Sequence, residues 1–225
     1  MKHTNCLTQK WAGCFAIMLA AVIMAGCQSA REPVSTSATV DPAAPAAPAP
    51  AGAPAQPAVQ DAAAAPAAPA APVAVTPPVR IKAGVTENMK DSAGNTWLAD
   101  QGFTEGQTYE ATDVEVTNTK DPALYQTERY SMTAYSFAVP NGKYTVKLHF
   151  AEIYSGITGP GERVFSFKVQ DKEYKGFDIW VKAVGANKAY VESVNVDVTD
   201  GKLTITFTPD VENPKISGIE ILPQT

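Results

Sequence analysis

The chain has 225 residues, a formal net charge of -5 and a pI near 5.1, so it lacks the basic character of a nucleic-acid-binding protein. Its three cysteines, Cys6, Cys14 and Cys27, lie at the N-terminus, which excludes a disulfide framework from the rest of the chain. The histidines are His3 and His149 alone, too few for a histidine zinc site, and no cofactor is indicated.

Residues 1–26 have the organisation of an export signal. Two lysines precede the apolar stretch Phe15–Met24, and two small residues then lead to Cys27. A charged region, a short apolar region and a small-residue neck are typical of a cleaved signal peptide. An uncleaved membrane anchor is the alternative, although the apolar run is short for a membrane-spanning helix.

The end of this segment, Met24-Ala25-Gly26-Cys27, resembles a bacterial lipobox. The resemblance implies that Cys27 is lipidated and that its acyl chains anchor the protein to a membrane. Gln28 stands where an aspartate favours inner-membrane retention in such lipoproteins. We therefore expect an exported protein anchored to the outer membrane in preference to the inner one, with its folded part in the periplasm or at the cell surface.

Residues 27–78, which begin with the lipidated cysteine, are predicted to form a disordered linker. Alanine and proline dominate from Arg31 to Pro78, where the prolines prevent a helix and few large side chains are available for burial. As polyproline II, about 45 such residues would span more than about 100 Å. We interpret this segment as a passive tether; a proline-rich ligand for a partner domain is the alternative.

Residues 79–225 are predicted to form one all-β domain. Apolar residues alternate with polar ones over 144–150 and again over 194–198. The apolar members are expected to face a core: Tyr144, Val146, Leu148, Phe150, Val194, Val196 and Val198. Further strands are predicted over 80–83, 164–169 and 216–221. Many short strands with few helical segments indicate an antiparallel β-sandwich.

Two turns are predicted to close antiparallel hairpins. Asn141-Gly142 separates the strand 135–139 from the strand 144–150, and Asp200-Gly201 separates 194–198 from 203–207. Glycine after asparagine or aspartate readily adopts the positive φ angles of a tight turn. Each pair of strands is therefore expected to lie side by side in one sheet.

Aromatic residues in the connecting segments suggest a sugar site. A sugar ring has an apolar face and a rim of hydroxyls, so it needs aromatic planes beside hydrogen-bonding groups. Stacking over ~100 Å² contributes about 2.5 kcal/mol, less than the ~4 kcal/mol that association costs, so several rings must act together. The alternative for each ring is a place in the core. The residues concerned are Tyr109, Tyr125, Tyr130, Tyr154 and Trp180.

Carboxylates near these aromatics raise the alternative of a glycosidase, which needs two of them across the substrate. They are Glu128, Glu152, Glu162 and Glu212. We interpret them as solvated or hydrogen-bonding groups, and His149 has no serine or cysteine partner for a triad. Three aspartates are possible calcium ligands without the spacing of an EF-hand: Asp91, Asp100 and Asp113. No catalytic residue and no metal ligand is therefore assigned.

Five blocks between Arg80 and Leu222 occur in the order of a known family. They are 123–130 (ALYQTERY), 144–154 (YTVKLHFAEIY), 161–165 (GERVF), 177–179 (FDI) and 213–218 (NPKISG). Together they resemble malectin and the malectin-like domains of bacterial proteins. The resemblance implies a jelly-roll-like β-sandwich that binds glucose-containing oligosaccharides in a loop-built cleft, without catalysis.

The resemblance also implies the ligand-binding residues. Tyr130 closes the first block, Tyr154 closes the second, and Tyr109 matches an upstream tyrosine. Glu212 stands where the family has an aspartate, and Ser155 stands where it has an aromatic. We hypothesise that the three tyrosines form a cleft that binds an oligosaccharide or polysaccharide and that Glu212 accepts sugar hydroxyls. The alternative is a structural or protein-interaction lipoprotein that keeps the sandwich without a working sugar site.

Overall fold

The computed structural model describes residues 71–225; the predicted signal peptide, Cys27 and the predicted linker up to residue 70 lie outside this range. The strands are β1 (Val73–Ala74), β2 (Val79–Lys82), β3 (Met89–Lys90), β4 (Thr96–Trp97), β5 (Phe103–Glu110), β6 (Thr127–Ala138), β7 (Gly142–Phe150), β8 (Val164–Val169), β9 (Lys172–Phe177), β10 (Tyr190–Val198), β11 (Lys202–Val211), β12 (Lys215–Ile216) and β13 (Gly218–Pro223). One short helix, α1 (Ile179–Ala183), joins β9 to β10. Over residues 71–225, no helix has the length and apolar character needed to cross a membrane.

Two sheets form the body of the domain. The first has the order β1-β6-β11-β8-β9, with β5 and β12 also paired to β6, and the second has the order β10-β7-β13-β2. The small β3–β4 hairpin forms a separate two-stranded ladder. The strand ladders are antiparallel except for the short parallel pairing of β1 with β6. This arrangement confirms the predicted jelly-roll-like β-sandwich.

The core lies between the two sheets and is rich in phenylalanine. Phe150 on β7 contacts three rings of the other sheet, with centroids at 6.1 Å from Phe165, 6.1 Å from Phe167 and 5.0 Å from Phe177. Burying one such side chain contributes about 1.5–3 kcal/mol. The predicted core faces are confirmed, because every apolar residue of the two alternating patterns is at most 5% exposed.

Both predicted hairpins are wrong. The segments around Asn141 and around Asp200 each carry the chain from one sheet to the other, because β6 and β11 belong to the first sheet while β7 and β10 belong to the second. β6 pairs with β11, and β7 pairs with β10, so the two connections are neighbouring arches at one end of the sandwich. Alternation identifies the buried face of each strand correctly but does not say to which sheet the strand belongs.

The residues of the second connection do not have the conformation of a tight hairpin turn. A type I′ turn needs positive φ at both central residues, but at the second connection only Gly201 has it, with φ 73°. The side chain of Asn141 instead bridges the two arches. Its Nδ2 donates to the carbonyl of Thr199 at 2.9 Å, and its Oδ1 accepts from the N–H of Gly201 at 2.7 Å.

The predicted strand over 216–221 is also divided between the sheets. β12 ends at Ile216 beside β6, and β13 starts at Gly218 beside β7 and β2. Ser217 is the crossing point, and its N–H donates to the carbonyl of His149 at 2.8 Å. The division matters for function because it brings Lys215 into the first sheet, beside Tyr130.

A second apolar cluster covers part of the outer face of β7. Trp97 and Tyr125 pack here, and the ring of Trp97 meets His149 edge-on at 5.2 Å between centroids. His149, predicted on the polar side of its strand, is therefore buried, with Nδ1 2.8 Å from the Tyr125 hydroxyl and Nε2 3.0 Å from Glu220 Oε1. These contacts satisfy both ring nitrogens and give His149 a structural role.

Candidate functional site

The three tyrosines named by the sequence converge at one end of the sandwich, away from the two arches. Tyr109 on β5 stands directly opposite Glu128 on β6, and Tyr130 stands opposite Gln107 on one side and Lys215 on the other. Directly opposite residues of a sheet project from the same face, and so do residues two apart on one strand. Tyr109 and Tyr130 therefore share a face. Tyr154 arrives from the segment that follows β7 of the other sheet.

The rings of Tyr109 and Tyr154 touch each other. Their centroids are 5.7 Å apart and their planes are nearly perpendicular, at 87°. Both side chains are half-buried, so part of each ring faces solvent. Tyr130 is more enclosed, at 6% exposure, and its hydroxyl donates to Gln107 Oε1 at 2.9 Å. The arrangement offers two partly open rings beside a hydroxyl–amide pair.

The hydroxyls of Tyr109 and Tyr130 keep their protons well above neutral pH. Burial raises the pKa of Tyr109, and the nearby negative charge of Glu128 raises it further. Burial also raises the pKa of Tyr130, with further contributions from Glu128, Glu212 and Tyr154. A protonated phenol both donates and accepts hydrogen bonds, which suits a neutral hydroxylated ligand.

Glu212 lies at the exposed edge of this region. Its backbone has φ 61°, the left-handed conformation, at the end of β11. Its Oε2 accepts from the N–H of Asn213 at 2.9 Å and lies 3.6 Å from Nη1 of Arg163. The side chain is 36% exposed, so the carboxylate is open to solvent on the side away from Arg163.

Beneath the tyrosines lies a group of four charged side chains, Glu128, Glu152, Arg163 and Lys215, which we call the buried ion cluster. Each is at most 2% exposed. Lys215 Nζ lies 2.6 Å from Glu128 Oε2, without the alignment of a hydrogen bond, and donates to Glu152 Oε1 at 2.9 Å. Arg163 Nε donates to Glu152 Oε2 at 2.8 Å, and its Nη1 donates to the carbonyl of Asn213 at 2.6 Å.

The pKa values of the two carboxyl groups of this cluster are shifted in opposite directions. Burial raises the pKa of Glu128, and the opposing charge of Lys215 does not restore it. For Glu152, burial also acts to raise the pKa, but Lys215, Arg163 and hydrogen bonds outweigh it, so the pKa lies below its usual value. The cluster therefore favours the charged form of Glu152 more strongly than that of Glu128.

Sequence reasoning missed Arg163 and Lys215 as parts of the site. Both stand within the sequence blocks that resemble a known family, which was the available signal. Lys215 also stands beside the apolar Ile216 on β12, and a buried lysine needs partners for its charge. Glu128 and Glu152 were among the acids considered for catalysis, but the sequence did not indicate which cations pair with them.

Other candidate residues have structural roles. The aspartate Asp91 closes its own turn by accepting from the N–H groups of Ala93 and Asn95, and Asp100 is paired with Arg129 at 2.6 Å. Within residues 71–225, no three His, Cys, Asp or Glu side chains are grouped as metal ligands. Tyr125 is 3% exposed and belongs to the second apolar cluster.

Two surface cavities have linings that do not include the tyrosines. One of about 580 Å³ lies near the arches, between Asn195 and the β8–β9 turn, and has no aromatic residue in its lining. One of about 340 Å³ is lined partly by Phe103 and Arg129, but the guanidinium carbon lies 3.4 Å from the centroid of that ring and so covers it. Neither cavity offers an open aromatic face.

Comparison with known proteins identifies relatives of the β domain. The Malectin domain family matches residues 78–219, well over half of the chain. Malectin-B of Xenopus laevis is 30% identical over 126 residues, which are 48% of this chain and 45% of that protein. A probable LRR receptor-like serine/threonine-protein kinase of Arabidopsis thaliana is 38% identical over 119 residues, 44% of this chain and 12% of the kinase. The chain spans less than half the length of these relatives.

Solved structures share the architecture. A β-glucuronidase of Bacteroides uniformis superposes with a TM-score of 0.60 at 22% identity, over 65% of this chain and 18% of the enzyme. The ANXUR1 extracellular domain of Arabidopsis thaliana superposes with a TM-score of 0.57 at 19% identity, over 64% of this chain and 47% of that chain. At such identities the likeness is one of fold, and fold alone does not fix function.

Proposed function

Because the chain belongs to the malectin domain family, we propose that it is a non-catalytic carbohydrate-binding protein. Its ligand is a glucose-containing or related oligosaccharide that rests on the rings of Tyr109 and Tyr154. The main support for this proposal is the edge-to-face contact between these two half-buried rings. One ring belongs to β5 and the other to the segment after β7. Two partly exposed aromatic planes at right angles can contact a sugar ring both on its apolar face and at its rim.

Polar groups around the two rings supply the hydrogen bonds. The Tyr130–Gln107 pair lies beside the rings, and the carboxylate of Glu212 is the acceptor at the exposed edge. Stacking of a sugar on two rings, with ~100 Å² buried on each, contributes about 5 kcal/mol to binding. This only slightly exceeds the lowest free-energy cost of association, ~4 kcal/mol. We therefore expect weak binding by one domain and stronger binding by many domains displayed on one surface.

The acids near the tyrosines support a binding role over hydrolysis. Glycosidases hold two carboxyl groups against the substrate. Glu128 and Glu152 are at most 1% exposed and share Lys215, so neither faces solvent. The oxygens of Glu162 accept from Thr158 and Gly159 within its own loop.

Tyr109→Ala and Tyr154→Ala are each expected to lower glycan affinity by at least about tenfold, because each removes one stacking surface. The probes are α- and β-linked gluco-oligosaccharides and peptidoglycan fragments, titrated calorimetrically against the purified full chain. Tyr174→Ala is the control, since Tyr174 is also half-buried but stacks on Phe167 of the neighbouring strand β8. Unchanged affinity in both test variants would contradict the site, and a wild-type chain that binds no probe would favour the structural or protein-interaction lipoprotein.

The proposal includes a lipid anchor at Cys27, from the lipobox resemblance of residues 24–27. Cys27→Ser is expected to abolish incorporation of an alkyne-bearing fatty acid and to move the protein out of the membrane fraction. Cys14→Ser is the control, because Cys14 lies in the predicted signal peptide and its loss leaves the label in place. Labelling that survives Cys27→Ser would contradict the anchor, and fractionation of the two membranes tests the expected outer-membrane location.

A further inference from the structure

Gly156 lies directly beneath the ring of Tyr154. A Cβ atom at position 156 would stand 2.7 Å from Cζ and 2.9 Å from the hydroxyl oxygen of Tyr154. Unbonded carbon atoms attract each other at about 3.5–4.0 Å and repel strongly at shorter distances. The outer half of the Tyr154 ring therefore occupies the space that any other side chain at position 156 would fill.

The backbone does not explain this glycine. Glycine is required where φ is positive, and nine glycines of residues 71–225 have positive φ, but Gly156 is not among them. An alanine at this position keeps an ordinary backbone conformation. The requirement that remains is the space taken by the ring of Tyr154.

The backbone on either side of Gly156 is fixed, so an added Cβ must displace the ring. The N–H of Tyr154 donates to Glu152 Oε1 at 3.1 Å, and the N–H of Ile157 donates to the carbonyl of Tyr154 at 3.1 Å. Ile153 and Ile157 are buried at 3% and 6% exposure. Glu152 in turn belongs to the buried ion cluster, which holds it between Lys215 and Arg163.

We propose that Gly156 is a positioning residue of the ligand-binding surface, since it leaves the space that lets the ring of Tyr154 lie against Tyr109. The ring is confined on one side by Tyr109, at 5.7 Å between centroids, and on the other by the backbone of Gly156. This inference rests on the proposed sugar-binding function. It assigns to Gly156 no direct contact with the ligand.

Gly156→Ala in the full chain is expected to weaken binding of the gluco-oligosaccharides at least about fivefold. The midpoint of thermal unfolding should change by less than about 2 °C, because the displaced group is the outer end of a half-buried side chain. Gly159→Ala is the matched control in the same loop. Gly159 also lacks positive φ, and its Cβ would stand 3.8 Å from Glu162 Oε1, an ordinary contact.

A double-mutant cycle separates this role from a general loss of loop structure. In the Tyr154→Ala background the ring is absent, so adding Gly156→Ala should cause no further loss of affinity. An equal loss in both backgrounds would overturn the proposal. So would wild-type affinity in Gly156→Ala.

Ring contacts measured by nuclear Overhauser effects distinguish failure of this inference from failure of the proposed function. Cross-peaks between the Tyr109 and Tyr154 rings should be present in the wild type, weakened in Gly156→Ala and retained in Gly159→Ala. A wild type without affinity for any glycan overturns the sugar-binding function, and these cross-peaks then still report whether Gly156 positions the ring. Cross-peaks that are unchanged in Gly156→Ala overturn the positioning role whether or not the chain binds glycans.

Discussion

Lys215→Met is expected to lower the free energy of unfolding by about 3–5 kcal/mol, because it leaves a buried carboxylate without its cation. Lys215 is 1% exposed and lies between Glu128 and Glu152 at 2.6 Å and 2.9 Å. Glu152 keeps Arg163, but Glu128 loses its ion-pair partner, and neither of its oxygens has another hydrogen bond. Methionine has a similar volume, so the loss reflects charge more than packing.

A second substitution tests this explanation. Glu128→Gln removes the charge that Lys215→Met leaves unpaired, so the double variant should be more stable than Lys215→Met alone. Denaturation of each chain in urea measures the free energies, with equal m-values as the sign that the unfolding transition is comparable. A loss below about 1 kcal/mol in Lys215→Met would mean that the ion pair and its desolvation cost nearly cancel, contrary to this expectation.

The sequence predicts the strands and their buried faces well, because both depend on local alternation. The predicted strand over 164–169 has the bounds of β8, and Val194, Val196 and Val198 are 2%, 4% and 2% exposed. Alternation of apolar and polar residues is a property of a single strand. It arises because one face of the strand is buried, and this holds in either sheet of a sandwich.

The local sequence of a strand does not determine which other strands it pairs with. Asn141-Gly142 and Asp200-Gly201 have the composition of hairpin turns, yet each joins strands of different sheets. The two connections contact each other instead, through hydrogen bonds of Asn141 with Thr199 and Gly201. Those residues are about 60 positions away from Asn141, so no local pattern predicts the contact.

In the candidate site, the tyrosines could be predicted from the family resemblance, whereas the buried ion cluster beneath them could not be predicted from the sequence. Tyr109, Tyr130 and Tyr154 were named from the sequence blocks, and their sugar-binding roles remain a proposal. The buried ion cluster joins Glu152 after β7, Arg163 before β8 and Lys215 on β12. Such a cluster follows from the topology, since it needs the crossing at Ser217 that periodicity did not indicate.

Lys82 is expected to make the domain more stable as the pH rises from about 7 to about 10. Its side chain is fully buried, and its Nζ donates to the carbonyls of Ala83 and Thr127 at 2.7 Å and of Ser217 at 3.2 Å. No carboxylate of the described residues forms an ion pair with Lys82. Burial lowers the pKa of Lys82 from 10.5 to about 7, and the more distant Glu128 raises it only in part. Between these values the unfolded chain binds one more proton than the folded chain, so stability is lost as the pH falls.

Lys82→Met removes this titration. The free energy of unfolding of the wild type should therefore rise above that of Lys82→Met by about 1.4 kcal/mol per pH unit over this range. Lys168→Met is the control, because it makes the same substitution at an exposed lysine of β8. Urea denaturation at half-unit steps of pH measures both differences, so that titration of groups common to all three chains cancels. The expectation would be wrong if the difference in free energy of unfolding between the wild type and Lys82→Met did not change with pH. The three carbonyls would then keep Lys82 charged over this pH range despite its burial.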